Sequence, residues 1–275
     1  MNRVAFRKFL RASCVLAAFA APAAAAAQAP VPDFSAGDSS WSGAGSGDFN
    51  AVPGSSLAPP IMQDPAHPRV SNGDDGQPNY RIGDLAYPNL QPWAKEIMRR
   101  DNDEVLAGKI GFTPRSSCMP GGVPEFELMG GSNLHFLQTP DMVLMIQDGD
   151  AQMRRVYLGV PHSENPRTDW YGESIGHYEG DTLVVDTIAV DTRAFIDGYR
   201  TPHTDQLHVV ERFRLLDPDH FELKVVVEDP GAFNQPWEGM RVYSRGEGRL
   251  TEEVCAEGIS PVIDYGIPVD RSPDF

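Results

Sequence analysis

Basic residues, cysteines and long apolar runs are all scarce in this chain, and each shortage removes a class of function. Lys and Arg number 23 against 39 Asp and Glu, for a formal net charge of −16. Such a chain is a poor candidate for binding nucleic acid or an anionic membrane surface. One long apolar run exists, at the N-terminus, and no second follows, so no helical membrane span is expected in the mature protein. There are 3 cysteines, and their spacing fits no zinc motif. The 7 histidines are His67, His135, His162, His177, His203, His208 and His220, and none is paired at the spacing of a helical zinc site. No phosphate-binding glycine loop occurs, and no internal repeat is visible. Neither a metal nor a cofactor is expected from these patterns.

The N-terminus supplies a compartment. Arg3, Arg7, Lys8 and Arg11 form a cationic head, Ser13 to Ala21 an apolar segment, and Ala23 to Ala27 a small-residue cleavage site before Gln28. That order is a Sec-type signal peptide over 1–27, implying a periplasmic or secreted protein. Cys14 would leave with the signal, so Cys118 and Cys255 remain in an oxidising compartment that lets them pair. Closing so long a loop is worth roughly 4–5 kcal/mol in the chain-entropy model.

Residues 28–79 are rich in Gly, Ser, Pro, Asp and Ala, and read as a low-complexity linker or an extended arm, with a flexible linker expected for 35–56. Residues 80–275 read as a single β-rich domain. Pro92 opens a helix whose Trp93, Ala94, Ile97 and Met98 form an apolar stripe ending before Gly108. From Asn133 the period becomes two, predicting strands at 133–138, 142–147, 152–158, 173–178, 182–188, 206–215, 220–228, 238–245 and 250–255. Short turns such as Glu179-Gly-Asp and Asp217-Pro-Asp imply hairpins. The expected fold is therefore mainly β, an antiparallel barrel or strongly curved sheet of lipocalin-like kind, with a two-sheet sandwich as competitor.

Two connections exceed hairpin length, 159–169 and 189–205, and both are polar. If they lie at one end they frame a barrel mouth. Beside them the stretch Trp170 to Thr187 collects Trp170, Tyr171, Glu173, His177 and Tyr178 before a glycine turn and a strand. Along 207–216 either Glu211 points into an apolar layer, or His208 and Arg212 point into the barrel; a Glu211–Arg212 electrostatic support is one outcome. Asp186, on its own strand, could orient a histidine. Gly172-Glu-Ser-Ile-Gly176 has nucleophile-elbow spacing, but a second strand follows instead of a helix, so Ser174 reads as structural.

The expected chemistry is proton transfer by His203 as base or acid, with His162, Tyr171, Glu173 and His208 as partners. Trp170, Tyr178, Tyr199 and Trp237 would give flat surfaces for a small apolar or aromatic molecule. The leading expectation is a cofactor-independent lyase, dehydratase or isomerase. A non-catalytic lipocalin-like binding protein is the alternative, and a metal-assisted hydrolase a weaker one.

The run from Gln138 to Trp237 resembles a family of uncharacterised exported proteins of Gram-negative bacteria. The residues carrying the resemblance are Arg154-Arg155, His162, Trp170 to Val185, His203-Thr204, Leu207 to Phe213, Asp229-Pro230 and Pro236-Trp237, with Cys118 to Pro124 and Glu252 to Cys255 outside that run. This chain departs at Tyr178, where the family has Trp, and at Ser163, where proline commonly follows the histidine. The resemblance implies export and brings no defined activity.

Overall fold

The computed structural model describes residues 31–35, 40–43, 47–68, 81–109, 111–128, 133–149, 152–246 and 248–250. The signal segment, Cys255 and the strand expected at 250–255 (apart from Leu250) fall outside them. Ten strands are present: β1 (Ser40–Gly43), β2 (Asn50–Ala51), β3 (Leu134–Gln138), β4 (Met142–Gln147), β5 (Gln152–Leu158), β6 (Glu173–Glu179), β7 (Thr182–Ile188), β8 (His208–Asp217), β9 (His220–Glu228) and β10 (Trp237–Gly246). All but β2 form one closed ring, β1-β3-β4-β5-β6-β7-β8-β9-β10 and back to β1; β2 adds to the β10 edge. Among the described residues there is one α-helix, α1 (Pro92–Leu106), and no helix is long and apolar enough to cross a membrane.

The sheet is mixed, which corrects the purely antiparallel expectation. β5 and β6 run parallel, pairing Val156, Tyr157 and Leu158 with Ser174, Ile175 and Gly176. A parallel neighbour requires a return connection too long for a hairpin, and residues 159–172 provide it, crossing the outside of the barrel. Gly176 makes the joint close: a Cβ there would lie 2.8 Å from Val156 Cγ1 and 3.1 Å from the Val184 carbonyl.

The arm closes the barrel. Trp41 in β1 pairs with Leu134 of β3, and β1 runs antiparallel to β10 from Ser40↔Gly246 to Gly43↔Tyr243. A stretch expected as flexible linker is thus a structural strand, because its isolated aromatics are core residues. Phe34 and Trp41 are fully buried, and Trp41 Nε1 donates to the Phe34 carbonyl (2.8 Å). Phe34 meets Phe136 and Phe221 at ring-centroid distances of 5.1 and 5.6 Å, while Tyr243 stacks on Phe221 at 4.4 Å. This aromatic cluster fills one end of the barrel. Over the other end lies α1, burying Ala94, Met98 and Val105 and donating Trp93 Nε1 to the Gly231 carbonyl (2.7 Å).

Between the two ends the interior is ionic. Period-two alternation turns Arg154, Ser174, Thr187 and Glu211 inward, and a short 3-10 turn, Glu125–Leu128, inserts Phe126, Glu127 and Leu128 beside them. Arg154 Nη1 donates to Glu127 Oε1 (2.6 Å) and Glu211 Oε1 (3.0 Å). Its Nη2 donates to Glu211 Oε2 and to Thr187 Oγ1 (2.8 Å), and Nε reaches Ser174 Oγ (3.3 Å). The Arg154, Glu127 and Glu211 side chains are fully shielded from solvent. Two carboxyls share one cation here. Burial, then the charge of Glu211, pushes the Glu127 pKa well above the usual range. For Arg154, burial works to lower the pKa, but the charges of Glu211 and Glu127 outweigh it and raise it.

Removing one partner of a buried pair leaves an uncompensated charge, so Arg154→Met is expected to destabilise the fold by about 3–5 kcal/mol in urea denaturation, with Glu211→Gln on that background recovering part of the loss. Trp41→Ala should cost a comparable about 3–5 kcal/mol. A loss below about 1 kcal/mol for Trp41→Ala would show that β1 does not hold the barrel closed.

Candidate functional site

The parallel joint leaves a gap. Only Val156–Leu158 of β5 pair with β6, so the first half of β5 has no strand neighbour on that side among the described residues. Residues 169–172 cover it from above, and a groove of about 410 Å3 remains. One wall is the outward row of β5, Met153, Arg155 and Tyr157; the other is Arg167, Asp169, Trp170, Tyr171 and Glu173. Met153 and Tyr157 are about half exposed, at 46% and 49%. The Arg193 guanidinium lies over the Trp170 ring, 4.6 Å from its centroid, and is itself held by Asp191. Gly172, at φ +62, lets the chain turn under this wall; a Cβ there would stand 2.2 Å from the Ile188 carbonyl.

At the groove's end, Glu173 joins a second cluster on the outer face of β6, β7 and β8. His162, carried by the crossing connection, places Nδ1 2.9 Å from Glu173 Oε1 and Nε2 2.9 Å from Asp186 Oδ1. His208 Nε2 reaches the same Asp186 oxygen (3.0 Å), with its Nδ1 3.5 Å from Glu228 Oε2. Carboxylates only accept, so His162 makes both of its bonds at once only as the imidazolium. Ser163 donates its amide to Glu173 Oε1 (2.8 Å) and its hydroxyl to Oε2 (2.6 Å). The Ser163 hydroxyl first, then the Ser163 amide, hold the Glu173 carboxyl below the usual range against slight burial. Among the described residues, no three His, Cys, Asp or Glu side chains are grouped so as to hold one metal ion.

The sequence-predicted residues therefore divide. Trp170, Tyr171 and Glu173 line the groove, and His162, Asp186 and His208 cluster at its end, where Asp186 meets both histidines. The other predicted residues lie elsewhere. His203 is 4% exposed, its Nδ1 donates to the Thr204 carbonyl (2.9 Å), and burial holds its pKa below the usual value. It is a packed histidine behind Asp191 and Asp229, not a groove residue. The two long connections do meet at their bases, where Asp169 and Val190 form a bridge, but that junction buries His203.

Tyr199 is buried at the capped end, where Asp197 accepts its backbone amide (2.9 Å). Trp237 packs between Phe49 and Phe233 under the arm. Tyr178 accepts from Gln138 Nε2 (2.9 Å) beside the aromatic end. Glu211 and Arg212 are not partners: successive strand residues face opposite ways, so Glu211 meets Arg154 inside while Arg212 pairs outside with Glu179 (2.7 Å). Tyr171 holds its proton, since burial and then the charge of Glu125 raise its pKa; its hydroxyl donates to Gln152, and its ring meets Phe126 edge-on at 5.2 Å. Ser174 is spent on Arg154 and Thr187.

Met153, Arg155, Tyr157 and Arg167 were missed as groove residues. The signal for the first three was present, as an exposed row at period two on β5, but without the parallel joint nothing marked that row as a wall. No family model, no curated protein and no solved structure matches the chain.

A lowered folded pKa means that Glu173 contributes stability present above the unfolded carboxylate pKa and lost as pH falls through the folded one. The Ser163 amide resonance should accordingly titrate below the ordinary glutamate value and become flat in Glu173→Gln. A midpoint above the ordinary glutamate value would contradict the hydrogen-bond account of this corner.

Proposed function

We propose that this is an exported protein that binds a small, flat, largely apolar or aromatic molecule in the groove beside the β5–β6 joint, without a cofactor. The observation that carries the reading is the conjunction of half-exposed Met153 and Tyr157 with Trp170 around one concavity. Exposed apolar side chains gathered in a concave site, with a few polar groups among them, are what small-molecule recognition uses. The volume falls in the range of roughly 300–1,000 Å3 typical of ligand sites. A lipocalin-like carrier would hold its cargo in the lumen; here Arg154 with its partners and the Phe34–Phe221 cluster occupy that space, so the ligand lies against the outer wall. Export rests on the order of charged head, apolar segment and alanine run at the N-terminus, and on the resemblance to exported Gram-negative proteins. The same compartment would pair Cys118 with Cys255.

One observation favours acid–base chemistry as a second reading. Glu173 is at once a groove wall and the hydrogen-bond partner of His162, so a proton on His162 lies one carboxylate away from a bound molecule. Both His162 nitrogens already face carboxylates, and Glu173 is a weakened base, which places binding ahead of catalysis. In this reading Asp186 and His208 position His162 and do not touch the ligand.

A fragment screen against the mature protein, read by two-dimensional NMR, checks the first reading. Bound fragments should perturb the Trp170 indole and the Tyr157 region, and Trp170→Ala and Tyr157→Ala should each weaken binding about tenfold, or about 1.4 kcal/mol. Fragments that bind equally well to both variants would put the site elsewhere. For the second reading, Glu173→Gln should abolish turnover of a bound substrate while leaving its affinity within about threefold.

A further inference from the structure

The charges in the groove narrow the class of ligand, on the assumption that the groove is the binding site. Two carboxylates and two guanidiniums line it, and three of the four have partners. Glu173 accepts from Ser163 and His162. Asp169 and Arg167 face each other at 3.5 Å. Arg155 differs: among the described residues its side chain makes no hydrogen bond or ion pair, although the chain carries 39 acidic side chains.

Its position is also specific. Arg155 stands between Met153 and Tyr157 in the outward row of β5, facing the wall that carries Trp170. A guanidinium is a planar fork of donors that matches a carboxylate bidentately, and it is less strongly hydrated than an ammonium. Tyr157 and Trp170 bring aromatic rings to the two walls, the Trp170 ring already carrying the Arg193 guanidinium, and Met153 brings a polarizable, adaptable thioether. An apolar ligand would use the rings and leave the guanidinium covered and unpaired, which is costly. A ligand with a carboxylate uses both.

We propose that the groove binds planar aromatic carboxylic acids, with the ligand carboxylate on Arg155 and its ring against Trp170 and Tyr157. The charges of the lining balance overall, so the Arg155 guanidinium, the one of the four without a partner among the described residues, is the feature that would admit such anions and discriminate against neutral analogues. Arg167, at the rim and already beside Asp169, contributes steering and little binding.

The test uses the full mature protein and matched pairs, 2-naphthoate with 2-naphthamide and benzoate with benzamide, titrated at low and moderate salt with the Trp170 indole N–H resonance as readout. The acids are expected to bind at least tenfold more tightly than their amides, with the preference shrinking as salt rises. Arg155→Gln should erase the preference by weakening the acids while leaving the amides unchanged, whereas Arg167→Gln should cost the acids less than threefold. Arg155 is exposed on a strand face, so the variant should fold; its dispersion of amide resonances checks that. Equal binding of acid and amide would overturn the carboxylate assignment and leave the groove reading standing. If neither acids nor amides perturb Trp170 at millimolar concentration while other fragments do, the aromatic-acid class fails. If nothing perturbs Trp170, the groove reading fails with it.

Discussion

A guanidinium with no water to solvate it sets the terms for the whole barrel. Arg154 must find acceptors for its five N–H groups inside the wall, and from β5 it finds them on four other elements at once: Ser174 of β6, Thr187 of β7, Glu211 of β8 and Glu127 of the inserted turn. Such a cation is tolerated only when paired and fully hydrogen-bonded. The inserted turn is itself fixed at its Glu127 carbonyl, which accepts from Arg241 Nη1 (3.0 Å) and from the Tyr243 hydroxyl. Slipping any one strand by a residue would turn its inward polar group outward and strand the charge. The network therefore selects one register as much as it stabilises it.

Among the described residues an ionic knot and a cluster of packed aromatic rings occupy the inside of the barrel, whereas the β5–β6 pairing that Arg154 bridges from within is short enough to splay on the outside. The groove is the outer consequence of an inner joint. Arg154 and Arg155, adjacent in sequence, serve opposite sides of one strand: the first neutralised by two carboxyls, the second with no partner among the described residues.

Much of this was legible in the chain. Alternation located eight strands to within two residues at either end, the Pro92 helix was marked by its start and its glycine stop, and the inward or outward question for Glu211 was posed correctly by its strand. What the alternation could not resolve was partnership. Glu211 and Arg212 are neighbours in sequence on opposite faces of β8, and the partner of Glu211 is Arg154, distant in sequence. Glu127 lay in a stretch with no period to read. The arm was judged by its glycine and serine content, which outweighed Phe34, Trp41 and Phe49, the residues that decide burial. The length of the connection after β5 is plain in the sequence, but its role as a parallel return is not, because such a return without a helix is uncommon and leaves no pattern of its own.

His162 shows why the site is better understood as a clamp with a wall than as a set of histidines. The crossing connection has little apolar surface with which to hold itself down, and Val160 is itself exposed. Its attachment comes instead from His162, which spans Glu173 on β6 and Asp186 on β7, with Ser163 adding two bonds to the same glutamate. Asp186 is in turn shared with His208 from β8, so one loop is tied to three strands through polar contacts. The far wall of the groove continues directly from this clamp, through Arg167 and Asp169 to Trp170. Under the proposed reading, a group that only holds the loop would still govern ligand affinity, because the distance between Trp170 and the β5 row depends on where the loop rests. Positioning and chemistry at His162 therefore predict the same loss of activity, and they separate only through the affinity for a ligand that undergoes no reaction.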